Sequence, residues 1–222
     1  MNIEIRHIKK SYGKKAVLRD VNLSAKAGEC IGILGKNGSG KSTLFSVLCG
    51  LQKGSGEFFC DGEDMMKSPS RRAAAVGFVP QSPPLIGELT ALDNLRLWYK
   101  RDELERSLSE GMLKLLGVDE FLRVTVSKMS GGMKKRLSIG CAVANDPSVL
   151  LLDEPSGALD LVCKEHIGEY LDHFKSRGGI TLIATHDIHE LVSCDHLYLL
   201  KDGVLTLHEG DRSLQTLAGL LV

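Results

Sequence analysis

The sequence predicts an α/β fold, with a largely parallel sheet covered on both faces by helices. Short β-rich runs recur along the chain, and Val149 to Leu152 is apolar throughout, as a strand buried on both faces is. In the second half such runs alternate with stretches of helical apolar spacing. Between Leu34 and Ser42 a glycine-rich stretch separates a strand signal from a helix signal.

Taken in order, Ile3-Glu4-Ile5, Val17 to Leu23 and Cys30 to Leu34 are short and β-rich, with turn signals such as Ala27-Gly28 between them. Gly35 to Gly40 breaks the pattern, and Ser42 to Leu51 reads as a helix. Phe58-Phe59-Cys60 before Asp61-Gly62 predicts another strand and turn, as does Val76 to Val79 before Pro80. From about Leu89 to Ala144 the apolar spacing turns helical, and Leu104, Leu108, Met112, Leu115 and Leu116 fall on one face. That change of character predicts a helical subdomain, about 86–145, inserted into a core formed by about 1–85 and 146–222. Strand signals return at Val149 to Leu152, Ile180 to Ala184, Leu197 to Leu200 and Val204 to Leu207. Between the first two, Ile167, Tyr170, Leu171 and Phe174 form the stripe of an amphipathic helix. No internal repeat or low-complexity segment is present, so the reading is of a single unit over 1–222.

The bulk properties narrow the class. A chain of 222 residues is long enough for one sizeable core, or one core and a small satellite. Its 28 basic and 28 acidic side chains cancel, which leaves no electrostatic footprint for nucleic acid. The longest apolar runs fall far short of the roughly 20 residues that cross a bilayer. The N-terminal residues have no apolar core behind their charges, which argues against a signal peptide. Cys30, Cys49, Cys60, Cys141, Cys163 and Cys194 are scattered without a CxxC pair, as reduced thiols of a cytoplasmic protein would be.

Two motifs carry the chemistry. Gly35-Lys36-Asn37-Gly38-Ser39-Gly40-Lys41-Ser42-Thr43 fits the phosphate-cradle pattern GxxxxGK[ST], after a strand and before a helix. Triphosphate oxygens need several convergent donors, and backbone amides supply them only where no side chain blocks the approach. The helix N-terminus adds unpaired amides and partial positive charge. Lys41 is placed to reach the β- and γ-phosphates, and the Ser42 hydroxyl to hold Mg²⁺. Far downstream the apolar strand ends in Asp153-Glu154-Pro155. Carboxylates at the mouth of a buried strand are costly unless a cation or substrate meets them. Asp153 is assigned to Mg²⁺, and Glu154 to the attacking water.

Ser130-Gly131-Gly132, ahead of Asp153, resembles the LSGGQ signature of ATP-binding cassette (ABC) proteins. The resemblance covers nearly the whole chain, with the remaining motifs in the family's order. Tyr12 in Lys-Ser-Tyr-Gly resembles the adenine-stacking aromatic, and Gln81 in Val-Pro-Gln the loop glutamine that senses Mg²⁺ and the membrane partner. Ser156-Gly157-Ala158-Leu159-Asp160 resembles the loop named for its aspartate, and His186 in Ala-Thr-His-Asp the histidine at the γ-phosphate. His186 and His189 have no third His or Cys placed to complete a metal site.

The resemblance implies a P-loop NTPase core with an N-terminal antiparallel β-subdomain and an inserted α-helical subdomain. It implies an ATPase with catalytic Lys41, Glu154 and His186, and with Mg²⁺ held by Ser42, Gln81 and Asp153. It also implies a homodimer or cassette heterodimer, each ATP lying between the cradle of one chain and the Ser130–Gly132 signature of the other. The expected partner is a separate transmembrane permease, which would hold the chain on the inner face of the cell membrane. Met129, Met133 and Leu161 depart from the family's usual Leu, Gln and Pro. The run Ser-Gly-Gly-Met-Lys-Lys-Arg-Leu is similar to exporters whose cassette and membrane subunits are separate chains, which favours export over import. The alternative is a soluble cassette ATPase acting on nucleic acid or ribosomes. Those relatives carry coiled-coil insertions or two cassettes, neither of which occurs here.

Overall fold

The computed structural model describes residues 1–155, 159–186, 190–191 and 193–220. Its first strands, β1 (Asn2–Tyr12) and β2 (Lys15–Lys26), form an antiparallel hairpin with Ile5 opposite Leu23 and Tyr12 opposite Lys15. β1 runs far beyond the Ile3-Glu4-Ile5 signal because both of its edges are paired. β4 (Ser55–Cys60) lies antiparallel on its other side, with Phe58 opposite Ile5. The register slips between Ile5 and Ile8, where His7 sits at φ 54°, and alternation resumes with Ile8 inside. A two-residue strand, β5 (Glu63–Asp64), extends this antiparallel part at its edge.

The parallel part contains β3 (Cys30–Leu34), β6 (Val76–Val79), β7 (Val149–Asp153), β8 (Ile180–Thr185) and β9 (His196–Lys201). β10 (Val204–Leu207) turns back antiparallel on β9 and meets β2 at Val204 and Asp20. The result among the described residues is one ten-stranded sheet of order β5-β4-β1-β2-β10-β9-β3-β8-β7-β6. Successive residues of β7 face opposite cores. Val149 and Leu151 pack with Ile31, Ile33 and Phe45, whereas Leu150 and Leu152 pack with Leu113, Tyr170 and Ile183. An unbroken apolar run is what such a two-sided strand requires.

α1 (Lys41–Leu48) follows β3 directly and ends earlier than Leu51. Gly50, at φ 87°, takes the left-handed conformation that closes a helix, and Leu51 is left exposed. α2 (Pro69–Ala75) has no buried residue and therefore offered no apolar stripe to read. Between β6 and β7 come α3 (Ala91–Leu95), α4 (Arg101–Ser109), α5 (Met112–Leu115) and α6 (Gly131–Ala142). The stripe from Leu104 to Leu116 is not one helical face. The chain breaks at Glu110-Gly111, where a Cβ on Gly111 would lie 2.7 Å from the Ser107 Cα. The new phase turns Leu113 fully inward, against Gly140 of α6. α7 (Leu161–Ser176) buries Ile167, Tyr170 and Phe174 as its stripe predicts. A further short helix, Leu214–Leu220, closes the described chain. All six cysteines are free thiols.

Candidate active site

The loop between β3 and α1 has the form a phosphate cradle needs. Gly38 and Gly40 have φ of 79° and 112°, a region that side-chain-bearing residues rarely enter. A Cβ on Gly35 would come within 2.6 Å of the Ser39 hydroxyl and 2.9 Å of the Leu200 carbonyl, so only glycine fits. α1 opens with no side-chain cap and no acidic residue in its first turn, leaving its N-terminal amides to an anion. The Lys41 side chain is buried, and its ammonium donates to the Gly35 carbonyl at 2.7 Å and the Lys36 carbonyl at 3.4 Å.

The end of β7 meets this loop. Asp153 is buried, and loss of hydration pushes its carboxyl above the usual carboxylate range. The Ser42 hydroxyl and the positive charge of Lys41 oppose that shift. Glu154 turns off the strand at φ 49°, with its amide held by the Ala184 carbonyl at 2.8 Å. Its carboxylate accepts from the Thr185 hydroxyl at 3.2 Å and the His186 amide at 3.4 Å. The same carboxylate stands 2.8 Å from His186 Nδ1 and 3.7 Å from Lys41 Nζ. Three elements thus bring Lys41, Glu154 and His186 together.

A cavity of about 380 Å³ opens here, lined by Asn37, Gly38, Gly40, Lys41, Ser42, Thr43, Gln81 and Glu154 along with Val17. Ser39 Oγ and Asp153 Oδ1 are buried without a hydrogen-bond partner. Buried polar atoms in that state are uncommon, because each carries an uncompensated desolvation cost. A bound phosphate and cation would supply what they lack. The donors available to a cation, Ser42, Gln81 and Asp153, are all oxygens, as a hard divalent ion prefers.

Other predicted residues lie apart from this cavity. Ser130 caps α6 by accepting the Met133 amide at 3.2 Å. Gly131 faces open space, and Gly132 packs on Cys163 of α7. Asp160 caps α7, its carboxylate accepting the Cys163 amide at 2.8 Å. Tyr12 does not line the cavity. It ends β1, its hydroxyl bonded to Gln52 and its ring covered by the Lys10 ammonium at 4.9 Å. Ser156, Gly157, Ala158 and His189 fall outside the described residues. Sequence reasoning passed over Lys135, which is buried in α6 and donates to the Pro80, Gln81 and Glu154 carbonyls. Its signal was a basic residue on a helix position that faces inward.

The family model described as ABC transporter matches residues 18–157. The lantibiotic transport ATP-binding protein SrtF of Streptococcus pyogenes is 31% identical, covering 97% of this chain and 95% of its own length. The macrolide export ATP-binding/permease protein MacB of Shewanella oneidensis is 37% identical over 90% of this chain, which spans only 32% of MacB. The spermidine/putrescine import ATP-binding protein PotA of Spiroplasma citri is 36% identical, over 91% of this chain and 60% of its own. Among solved structures, a dimeric post-hydrolysis form of the ATP-binding cassette MJ0796 bound to ADP and Pi aligns at 30% identity and TM-score 0.80. That alignment covers 94% of this chain and all of the other. The chain belongs to the ABC transporter family, as its ATP-binding and ATP-hydrolysing cassette.

Proposed function

We propose that this cassette powers export through separate membrane-spanning permease subunits, closing as a dimer around two ATP molecules. The observation that carries the site assignment is the convergence of Lys41, Glu154 and His186 on a glycine-lined cavity beside buried Asp153. The cradle Gly35–Thr43 binds the triphosphate, and Lys41 leaves the Gly35 carbonyl to meet the β/γ oxygens. Glu154 orients the attacking water and takes its proton, while His186 steadies the carboxylate and contacts the γ-phosphate. Mg²⁺ on Ser42, Gln81 and Asp153 supplies positive charge against the phosphate oxygens. Ser130–Gly132 of the second chain offers a capped helix N-terminus, an arrangement that closes with two-fold symmetry. Asp160 stands beside Gly132, and Tyr12 is assigned to the adenine, reached by a turn of its ring off Lys10. The functional units are the ATP-binding core, about 1–85 and 146–222, and the helical signature part, about 86–145.

The membrane partner is assigned to an apolar groove of about 400 Å³ lined by Leu51, Phe78, Pro80, Pro84, Leu85 and Trp98, among others. Leu51 is 73% exposed and Trp98 57%, which is wasteful for large apolar side chains in water. The groove adjoins Gln81, so a permease seated there touches the loop that lines the nucleotide cavity. No helix among the described residues is long and apolar enough to cross a membrane. The exporter-like Ser130–Leu137 run supports the direction. Photocrosslinkers at Leu85 and Ile86 in native membranes are expected to capture a multi-span membrane protein. Capture of non-membrane proteins alone would contradict the assignment.

A further inference from the structure

Lys135 is 5% exposed, and its ammonium meets carbonyl groups where a buried cation would be expected to seek a carboxylate. It donates to Pro80 O at 3.3 Å, Gln81 O at 3.4 Å and Glu154 O at 3.4 Å. Burial pulls its pKa below the ordinary lysine value, with the charges of Asp153 and Glu190 acting the other way. Holding a cation in such a place is costly, so the contacts it makes call for a reason.

The three carbonyls belong to the ends of two neighbouring parallel strands. Pro80 and Gln81 follow β6, Glu154 follows β7, and the strands pair through Val79 and Leu152. Lys135 itself lies in α6, a turn beyond the Ser130–Gly132 signature. One helix therefore carries the signature at its start and a grip on both strand ends along its buried face. Glu154 needs such a grip. Its φ of 49° is a strained conformation for a residue with a side chain, and it persists only where neighbours hold it. The Ala184 carbonyl holds its amide, and Lys135 holds its carbonyl.

We infer that Lys135 is a positioning residue for ATP hydrolysis, tying the signature helix to the backbone of Glu154 and of the Gln81 loop. Through it, a shift of Ser130–Gly132 against nucleotide is passed to the carboxylate that handles water. The inference rests on the role proposed above for Glu154.

The test compares the wild-type chain with Lys135→Met, which keeps the length of the stem and removes the charge. Removing the ammonium leaves the Pro80, Gln81 and Glu154 carbonyls without that donor, which destabilises a fold even where the cation has no part in the reaction. A purely structural role therefore predicts a lower Tm with kcat unchanged at temperatures where the variant is folded. A positioning role predicts a kcat lower by about tenfold or more, with KM for ATP within about threefold. It further predicts faster amide hydrogen exchange in the nucleotide-free protein confined to the non-proline residues of 80–87 and to Glu154, whether or not Tm falls. Unchanged kcat and exchange would overturn the inference. So would faster exchange throughout the chain with kcat and KM worsening together, the mark of general loosening. Should Lys135→Met not fold, Lys135→Gln, which retains one donor group, takes its place with the same expectations. Glu154→Gln measured in parallel separates the two readings. If it turns over like wild type, the role of Glu154 fails, while the exchange at 80–87 still reports on the tie made by Lys135.

Discussion

Lys41→Ala is expected to lower ATP hydrolysis by at least about a hundredfold, a loss near 3 kcal/mol in the barrier, and to weaken ATP binding. Among the described residues lining the cavity Lys41 is the only cation, so the lining loses its positive charge. It also stands 3.7 Å from the Glu154 carboxylate, which is 10% exposed. Among the described residues, removing the ammonium leaves that buried carboxylate in contact with His186 and two neutral donors. Both effects act against turnover. Charge-assisted contacts of this kind are worth about 1.5–3 kcal/mol each, so the loss of one accounts for the expected change. A phosphate-release assay over a range of ATP concentrations reads kcat and KM together, and a thermal melt checks that the variant is folded. Near wild-type turnover in a folded variant would remove this loop from the reaction.

Glu154→Gln is expected to lower turnover by about 10²–10⁴-fold, the usual worth of a positioned general base. The amide has the volume of the carboxylate and retains an oxygen for the Thr185 hydroxyl and the His186 amide. Local geometry should therefore survive, and the cradle and Asp153 should still bind Mg-ATP. The loss is confined to the charge that takes the proton from water. Removing that charge also relieves repulsion against the γ-phosphate, so the closed dimer should persist in ATP and elute early from a sizing column. Hydrolysis at the wild-type rate would show that Glu154 is not the base. An inactive variant that stays monomeric would place the control of closure in the membrane subunits.

Much of this site was legible because its chemistry forces sequence patterns. A loop that must present bare amides needs glycines, and Gly38 and Gly40 take positive φ where the pattern places them. The unbroken run Val149–Leu152 announced a strand buried on both faces, and the strand delivers Asp153 and Glu154 to the cradle. What escaped was set by tertiary contact. The full length of β1 depends on two paired edges, and α2 buries nothing that could mark it. The Leu104 stripe failed at Gly111, where a tight approach to Ser107 resets the helical phase and turns Leu113 inward. Lys135 escaped for the opposite reason. Lysine is normally a surface residue, and only the convergence of β6, β7 and α6 shows that this one is inside. Tyr12 was placed by family pattern alone, and its contacts are with Gln52 and Lys10.

The central claim is that the γ-phosphate lies between the cradle of one chain and the signature of another. Vanadate trapped with Mg-ADP occupies the γ-phosphate position, and illumination then cuts the backbone next to it. The account predicts two sets of cuts by mass spectrometry, one within residues 39–43 and one at Ser130. Both should require vanadate, and the cut at Ser130 should disappear when the protein is diluted below its dimerisation range. Cuts at the cradle alone, at every concentration that sustains hydrolysis, would contradict the shared site.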